Sequence, residues 1–112
     1  MKLIVVEEHK SNYPNPISFK KGESLIIGKK DTEFEDWIWV TTKDENQGWA
    51  PMQYLQIEEG NKAVAKQDYT ATELDTCLRD ELFLHYELND WGWVEKSDGS
   101  CGWVPMKTTK IA

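Results

Sequence analysis

Residues 48–55 read GWAPMQYL, and residues 102–109 read GWVPMKTT. A Gly-Trp-X-Pro-Met core that returns within 112 residues points to an internal duplication, and self-similarity of this kind bears on architecture before any local propensity is weighed. Six pairs keep one spacing of 54: Trp37 with Trp91, Trp39 with Trp93, Val40 with Val94, Gly48 with Gly102, Trp49 with Trp103 and Pro51 with Pro105. The chain contains a repeat.

Toward the N-terminus the spacing grows in two steps of three. ISFKKGESL (17–25) lies over LDTCLRDEL (74–82) at 57, and LIVVEEH (3–9) lies over AVAKQDY (63–69) at 60. Both steps fall in polar, turn-rich stretches, where surface loops tolerate changes of length. Between these loops apolar residues alternate, as in Leu25 and Ile27 or Leu82 and Leu84, which is the period of a half-buried strand. No stretch sustains a helical period. Each copy is expected to hold about five short strands, with residues 1–58 as the first repeat, 62–112 as the second and 59–61 as a short linker.

Composition excludes several functions. The formal charge is −7, from 13 basic and 20 acidic residues, and Arg79 is the one arginine, so phosphate recognition and nucleic-acid binding are poorly supported. LIVV is too short for a signal-peptide core, and no run approaches a membrane span, so no membrane association and a cytoplasmic location are expected. Cys77 and Cys101 form no recognisable ligand spacing with His9 and His85, so free thiols and no metal or cofactor are expected. Catalysis finds no foothold, because neither histidine has a nucleophile or an orienting acid near it in sequence.

The ordered marks of each copy resemble those of Src-homology-3 (SH3) domains. ISFKKGESL resembles the diverging-turn segment of that family, DWIWV and DWGWV resemble the strand that begins with its ligand-binding tryptophan, GWAPMQYL resembles its closing motif, and AKQDYTA resembles its opening ALYDY motif. The resemblance covers nearly the whole chain and implies an all-β fold of two small SH3-like barrels in tandem. Val5, Ile17, Phe19, Leu25, Ile27, Val40, Ala50 and Leu55 are then inward-facing, with Ala65, Leu74, Thr76, Leu82, Leu84, Val94, Val104 and Thr109 as their counterparts. Phe19 becomes Thr76 and Leu55 becomes Thr109, so the second core is expected to be weaker by roughly one to a few kcal/mol. Arg79 replaces the turn glycine Gly22, where a positive φ would be uncommon for a side-chain-bearing residue.

The resemblance also implies where a ligand sits. The family grips a polyproline II segment between two tyrosines of ALYDY, the first tryptophan, the proline and a final tyrosine. Carried over by position, the first copy offers Glu7, His9, Trp37, Pro51 and Tyr54, and the second offers Gln67, Tyr69, Trp91, Pro105 and Thr108. Neither set is complete, and the first is expected to hold the better pocket. Glu33, Glu35 and Asp36 precede Trp37, and with Glu7 and Glu8 they make an acidic rim that favours a partner segment carrying Lys or Arg. The loop KSNYPNP contributes Tyr13 and prolines. Trp39, Trp49, Trp93 and Trp103 are expected to act as lids or packing residues.

The sequence therefore supports a non-enzymatic interaction module that binds a basic, apolar or proline-containing segment of a protein or peptide partner. Two alternatives stand beside it. One is a structural or self-associating tandem barrel with no groove in use; the other is cell-wall or glycan binding, which would better suit an exported, basic protein.

Overall fold

Apolar alternation is realised as strands throughout the computed structural model, which describes residues 1–11 and 14–112. The first half forms β1 (Lys2–Val5), β2 (Ser18–Phe19), β3 (Ser24–Lys30), β4 (Trp37–Thr41), β5 (Gln47–Pro51) and β6 (Leu55–Ile57), with a 3-10 turn at Met52–Tyr54 before β6. The second half forms β7 (Lys62–Ala65), β8 (Tyr69–Thr70), β9 (Glu81–Leu88), β10 (Trp91–Lys96), β11 (Cys101–Pro105) and β12 (Thr109–Ile111), with the matching 3-10 turn at Met106–Thr108. The fold is all-β, as expected. Tyr13, assigned to the first long loop, lies outside the described residues.

The two compact units are not the two sequence repeats. One unit comprises residues 15–71, and the other joins residues 1–14 to 72–112. In the first, the five-stranded sheet runs β5-β4-β3-β7-β6; in the second, it runs β11-β10-β9-β1-β12. The orders are equivalent except that the opening strand of each repeat has changed places. β7 pairs with β3 through Leu25 and Ala63, while β1 pairs with β9 through Leu3 and Leu82.

Side-chain volume gives the physical reason. In the exchanged arrangement the lean second-copy core receives Leu3 and Val5, which pack with Leu74, Leu82, Val94 and Val104 and against Leu84 and Met106. The fuller first-copy core, with Ile17, Phe19, Leu25, Ile38, Val40 and Leu55 all buried, receives only Ala63 and Ala65. Replacing two alanines by a leucine and a valine adds five buried carbons, worth about 4 kcal/mol at roughly 0.8 kcal/mol each. That offsets the deficit expected from Thr76 and Thr109. The same five carbons forced into the fuller core would overpack it.

The expected linker at 59–61 is the turn of a β6–β7 hairpin. The Glu58 N–H donates to the Lys62 carbonyl at 2.8 Å, and Gly60 supplies a φ of +75°. A Glu-Glu-Gly-Asn turn between two short alternating strands is hairpin chemistry. The turn before β9 follows the expectation: Arg79 has φ 71°, where Gly22 has φ 91°.

The repeated Gly-Trp has a steric cause. A Cβ on Gly102 would stand 2.9 Å from the Leu74 backbone nitrogen, and one on Gly48 would stand 3.1 Å from the Ile17 side chain. Each glycine lets a strand approach the segment that leads into its diverging turn.

Because each unit holds strands from both repeats, a nick within residues 59–61 should leave the two pieces associated. Size-exclusion chromatography of chain cut there should give one species of full size, resolving into two fragments only under denaturing conditions. Two separately eluting folded halves would contradict the exchange.

Candidate functional site

In the unit of residues 15–71, β4 and β5 place Trp37 directly opposite Pro51. The chain turns at Pro51 into the 3-10 segment that ends at Tyr54, and the Met52 N–H is held by the Asp36 carbonyl at 2.8 Å. Tyr54 meets Tyr69 edge to face, with ring centroids 5.8 Å apart, and Tyr69 in turn lies 5.3 Å from Phe19. The Tyr69 hydroxyl donates to the Trp49 carbonyl at 3.1 Å. Trp37, Pro51, Tyr54 and Tyr69 therefore belong to one unit. That is four of the five positions named by the resemblance, with Gln67 as the fifth.

Tyr69 was expected beside Trp91, and Glu7 and His9 beside Trp37; the strand exchange reverses both assignments. Glu7 and His9 belong to the other unit, where the His9 imidazole stands edge to face with Trp91 at 5.7 Å. Its Nε2 lies 2.8 Å from Glu73 Oε1, with both side chains only 14% exposed. Trp91 faces Pro105 across β10 and β11. Thr108 is buried, and its hydroxyl donates to the Pro105 carbonyl at 2.7 Å, so it caps the turn from within rather than forming a groove wall. An imidazole–carboxylate pair occupies this second face where a family groove would present a tyrosine.

Of the expected acidic rim, Glu33, Glu35 and Asp36 lie in the unit of Trp37, whereas Glu7 and Glu8 belong to the other unit. Glu33, Glu35 and Asp36 are exposed, and the loop is organised by the Asp31 carboxylate, which accepts the N–H groups of Glu33 at 2.8 Å and Phe34 at 3.4 Å. Asp68, just before Tyr69, accepts the Lys21 N–H at 2.9 Å; this bond, with the nearby Lys20 ammonium, holds its carboxyl below the usual range. The acid of the QDY segment thus pins the diverging turn to the strand that carries Tyr69.

Burial corrects one expectation about the tryptophans. Trp37 is only 5% exposed and Tyr69 7%, whereas Tyr54 is half-buried, so the indole is covered rather than open to solvent. With Val40 facing inward, strict alternation along β4 would point Trp37 outward. The remaining indoles pair as packing residues: Trp39 with Trp49 at 5.0 Å, and Trp93 with Trp103 at 5.4 Å, Tyr86 lying 5.6 Å from Trp103 on the same sheet.

Short, strongly bent antiparallel strands with a 3-10 turn before the last one give an SH3-like β fold, a class that suggests a protein-interaction module. The chain belongs to the variant SH3 domain family, whose model matches residues 2–58. That match covers one sequence repeat, β1 through β6, whereas the compact unit takes β7 in place of β1. No curated protein and no solved structure matches the chain at a significant level. Among the described residues no helix is long and apolar enough to cross a membrane.

Tyr69 ties the exchanged segment to this wall through one hydroxyl. Tyr69→Phe should lower stability by about 1 kcal/mol, the net worth of a partly buried hydrogen bond, read as a shifted urea midpoint at constant slope. No shift would mean that the Trp49 carbonyl does not depend on this donor.

Proposed function

We propose that the chain is a tandem SH3-like module whose working pocket is composite, with Trp37, Pro51 and Tyr54 from the first copy and Tyr69 from the second. The ligand is a protein segment with apolar or proline residues and at least one Lys or Arg. The observation that carries this reading is the meeting of Tyr54 and Tyr69 at 5.8 Å, which restores a second tyrosine to a set that already holds the tryptophan and the proline. Prolines stack on such rings, and a cationic residue is drawn to the exposed carboxylates of Glu33, Glu35 and Asp36.

A ligand that stacks on Trp37 has to uncover it, and apparent affinity falls by the fraction of molecules already open. Binding is therefore weak, on the order of micromolar or poorer, about −8 kcal/mol at best. The role is non-enzymatic, and the location is cytoplasmic.

A second reading draws support from the burial of Trp37 and Trp103, which are 5% and 2% exposed. Indoles so covered suit a structural or self-associating barrel in which no groove operates. Sedimentation over a range of concentrations separates the two readings, since self-association raises the apparent mass and peptide capture does not.

The groove is tested by titrating a proline-rich peptide carrying arginine into the full chain, followed by heteronuclear NMR. Tyr54→Ala should weaken binding at least tenfold, Trp91→Ala should leave it unchanged, and replacing the peptide arginine by glutamate should abolish it. Binding lost with Trp91→Ala but kept with Tyr54→Ala would move the site to the other unit. No binding by the wild type would favour the structural reading.

A further inference from the structure

Three neighbouring strands of the unit that contains β9, β10 and β11 each offer one metal-binding side chain to the same place. His85 comes from β9, Glu95 from β10 and Cys101 from β11, and one ligand atom from each lies within 4.8 Å of the others. Glu95 and Cys101 are direct cross-strand partners, and the His85 Nε2 is 2.9 Å from Glu95 Oε1. We propose that this triad is a binding site for a borderline transition-metal ion, with zinc(II) as the best-suited species.

Strand geometry explains how the three converge. The β9–β10 register shifts between Trp93 and Val94: Tyr86 faces Trp93, whereas Leu84 faces Val94, leaving His85 as the extra residue of a bulge. Bulges re-aim side chains, and here the histidine stands beside Glu95 instead of facing a partner of its own. Phe83, two residues earlier, lies edge to face with the imidazole at 5.1 Å and restricts its rotation.

The donor set selects the ion. One imidazole nitrogen, one carboxylate oxygen and one thiolate sulfur form a mixed set of intermediate softness, which suits zinc and is foreign to magnesium or calcium. At zinc–ligand bonds of about 2.0–2.3 Å, tetrahedral ligand atoms stand roughly 3.3–3.7 Å apart, so the widest separation, at most 4.8 Å, has to close by about 1 Å and the 2.9 Å His85–Glu95 pair has to open by roughly half an ångström. Three protein ligands leave the fourth position to water. Binding replaces the thiol proton of Cys101, which is released to solvent. Lys96, next to Glu95 at the end of β10, donates from its ammonium to the Asp75 carbonyl at 2.5 Å.

The first copy shows that the fold does not require these residues. At the equivalent positions it carries Gly28, Thr41 and Gln47, and Gln47 donates to Thr41 across the strands at 3.1 Å. The three donors are thus additions to a surface that the scaffold builds equally well without them. Sequence spacing had suggested no metal site because the ligands come from three strands, separated by hairpin turns, rather than from one short motif.

The experiment is zinc chloride titrated calorimetrically into the full reduced chain. One ion per chain is expected, with proton release and with affinity reduced at least tenfold in His85→Ala and in Cys101→Ser, since even outer-shell partners change affinity by 10–100-fold. Cys77→Ser and His9→Ala should bind like the wild type. Cobalt(II) added to the unsubstituted chain should give a thiolate charge-transfer absorption, a readout independent of any variant's folding. No binding, equal affinity in all four variants, or an absent charge-transfer band would overturn the site.

Discussion

Volume matching between two unequal cores is the constraint on which the rest of the structure depends. The second copy has lost Phe19 to Thr76 and Leu55 to Thr109, and it recovers that volume from Leu3 and Val5 of the first. The first copy keeps its large residues and accepts Ala63 and Ala65 in the slot that Leu3 and Val5 vacate. Interiors close-pack, so a void in one core and crowding in the other would both be penalised by a linear arrangement. Exchange of the opening strands removes both faults, and the backbone pairing is equivalent either way.

This exchange decides which of the residues named by the SH3 resemblance meet. Tyr69 follows β7 into the unit that holds Trp37, Pro51 and Tyr54, whereas His9 follows β1 to Trp91 and Glu73. The residue set named by the SH3 resemblance, which each repeat carries only in part, becomes nearly whole in one unit. The other unit closes its equivalent face with an imidazole–carboxylate pair and an inward-turned Thr108. Under the proposed function neither copy is expendable: the second supplies β7, β8 and a pocket tyrosine, and the first supplies the strand that fills the second core.

Much of this was legible in the sequence. The repeat, the strands and the positive φ at Arg79 follow from spacing, alternation and alignment with Gly22, all local properties. The Trp37, Pro51 and Tyr54 grouping was legible because one hairpin and one turn fix it. Partner choice was not, because β1 and β7 have the same apolar alternation and either satisfies the hydrogen bonds of either slot. Only the sizes of Leu3, Val5, Ala63 and Ala65 discriminate, and size acts through a core that cannot be summed until the partners are known. The meeting of His85, Glu95 and Cys101 was hidden likewise, since it arises from residues brought together across three strands.

Backbone nuclear Overhauser contacts between the opening strands and their neighbours test the exchange most directly. The exchanged topology requires contacts from Leu3 to Leu82 and from Ala63 to Leu25. Contacts from Leu3 to Leu25 and from Ala63 to Leu82 in the monomer would instead establish two linear barrels and return Tyr69 to Trp91.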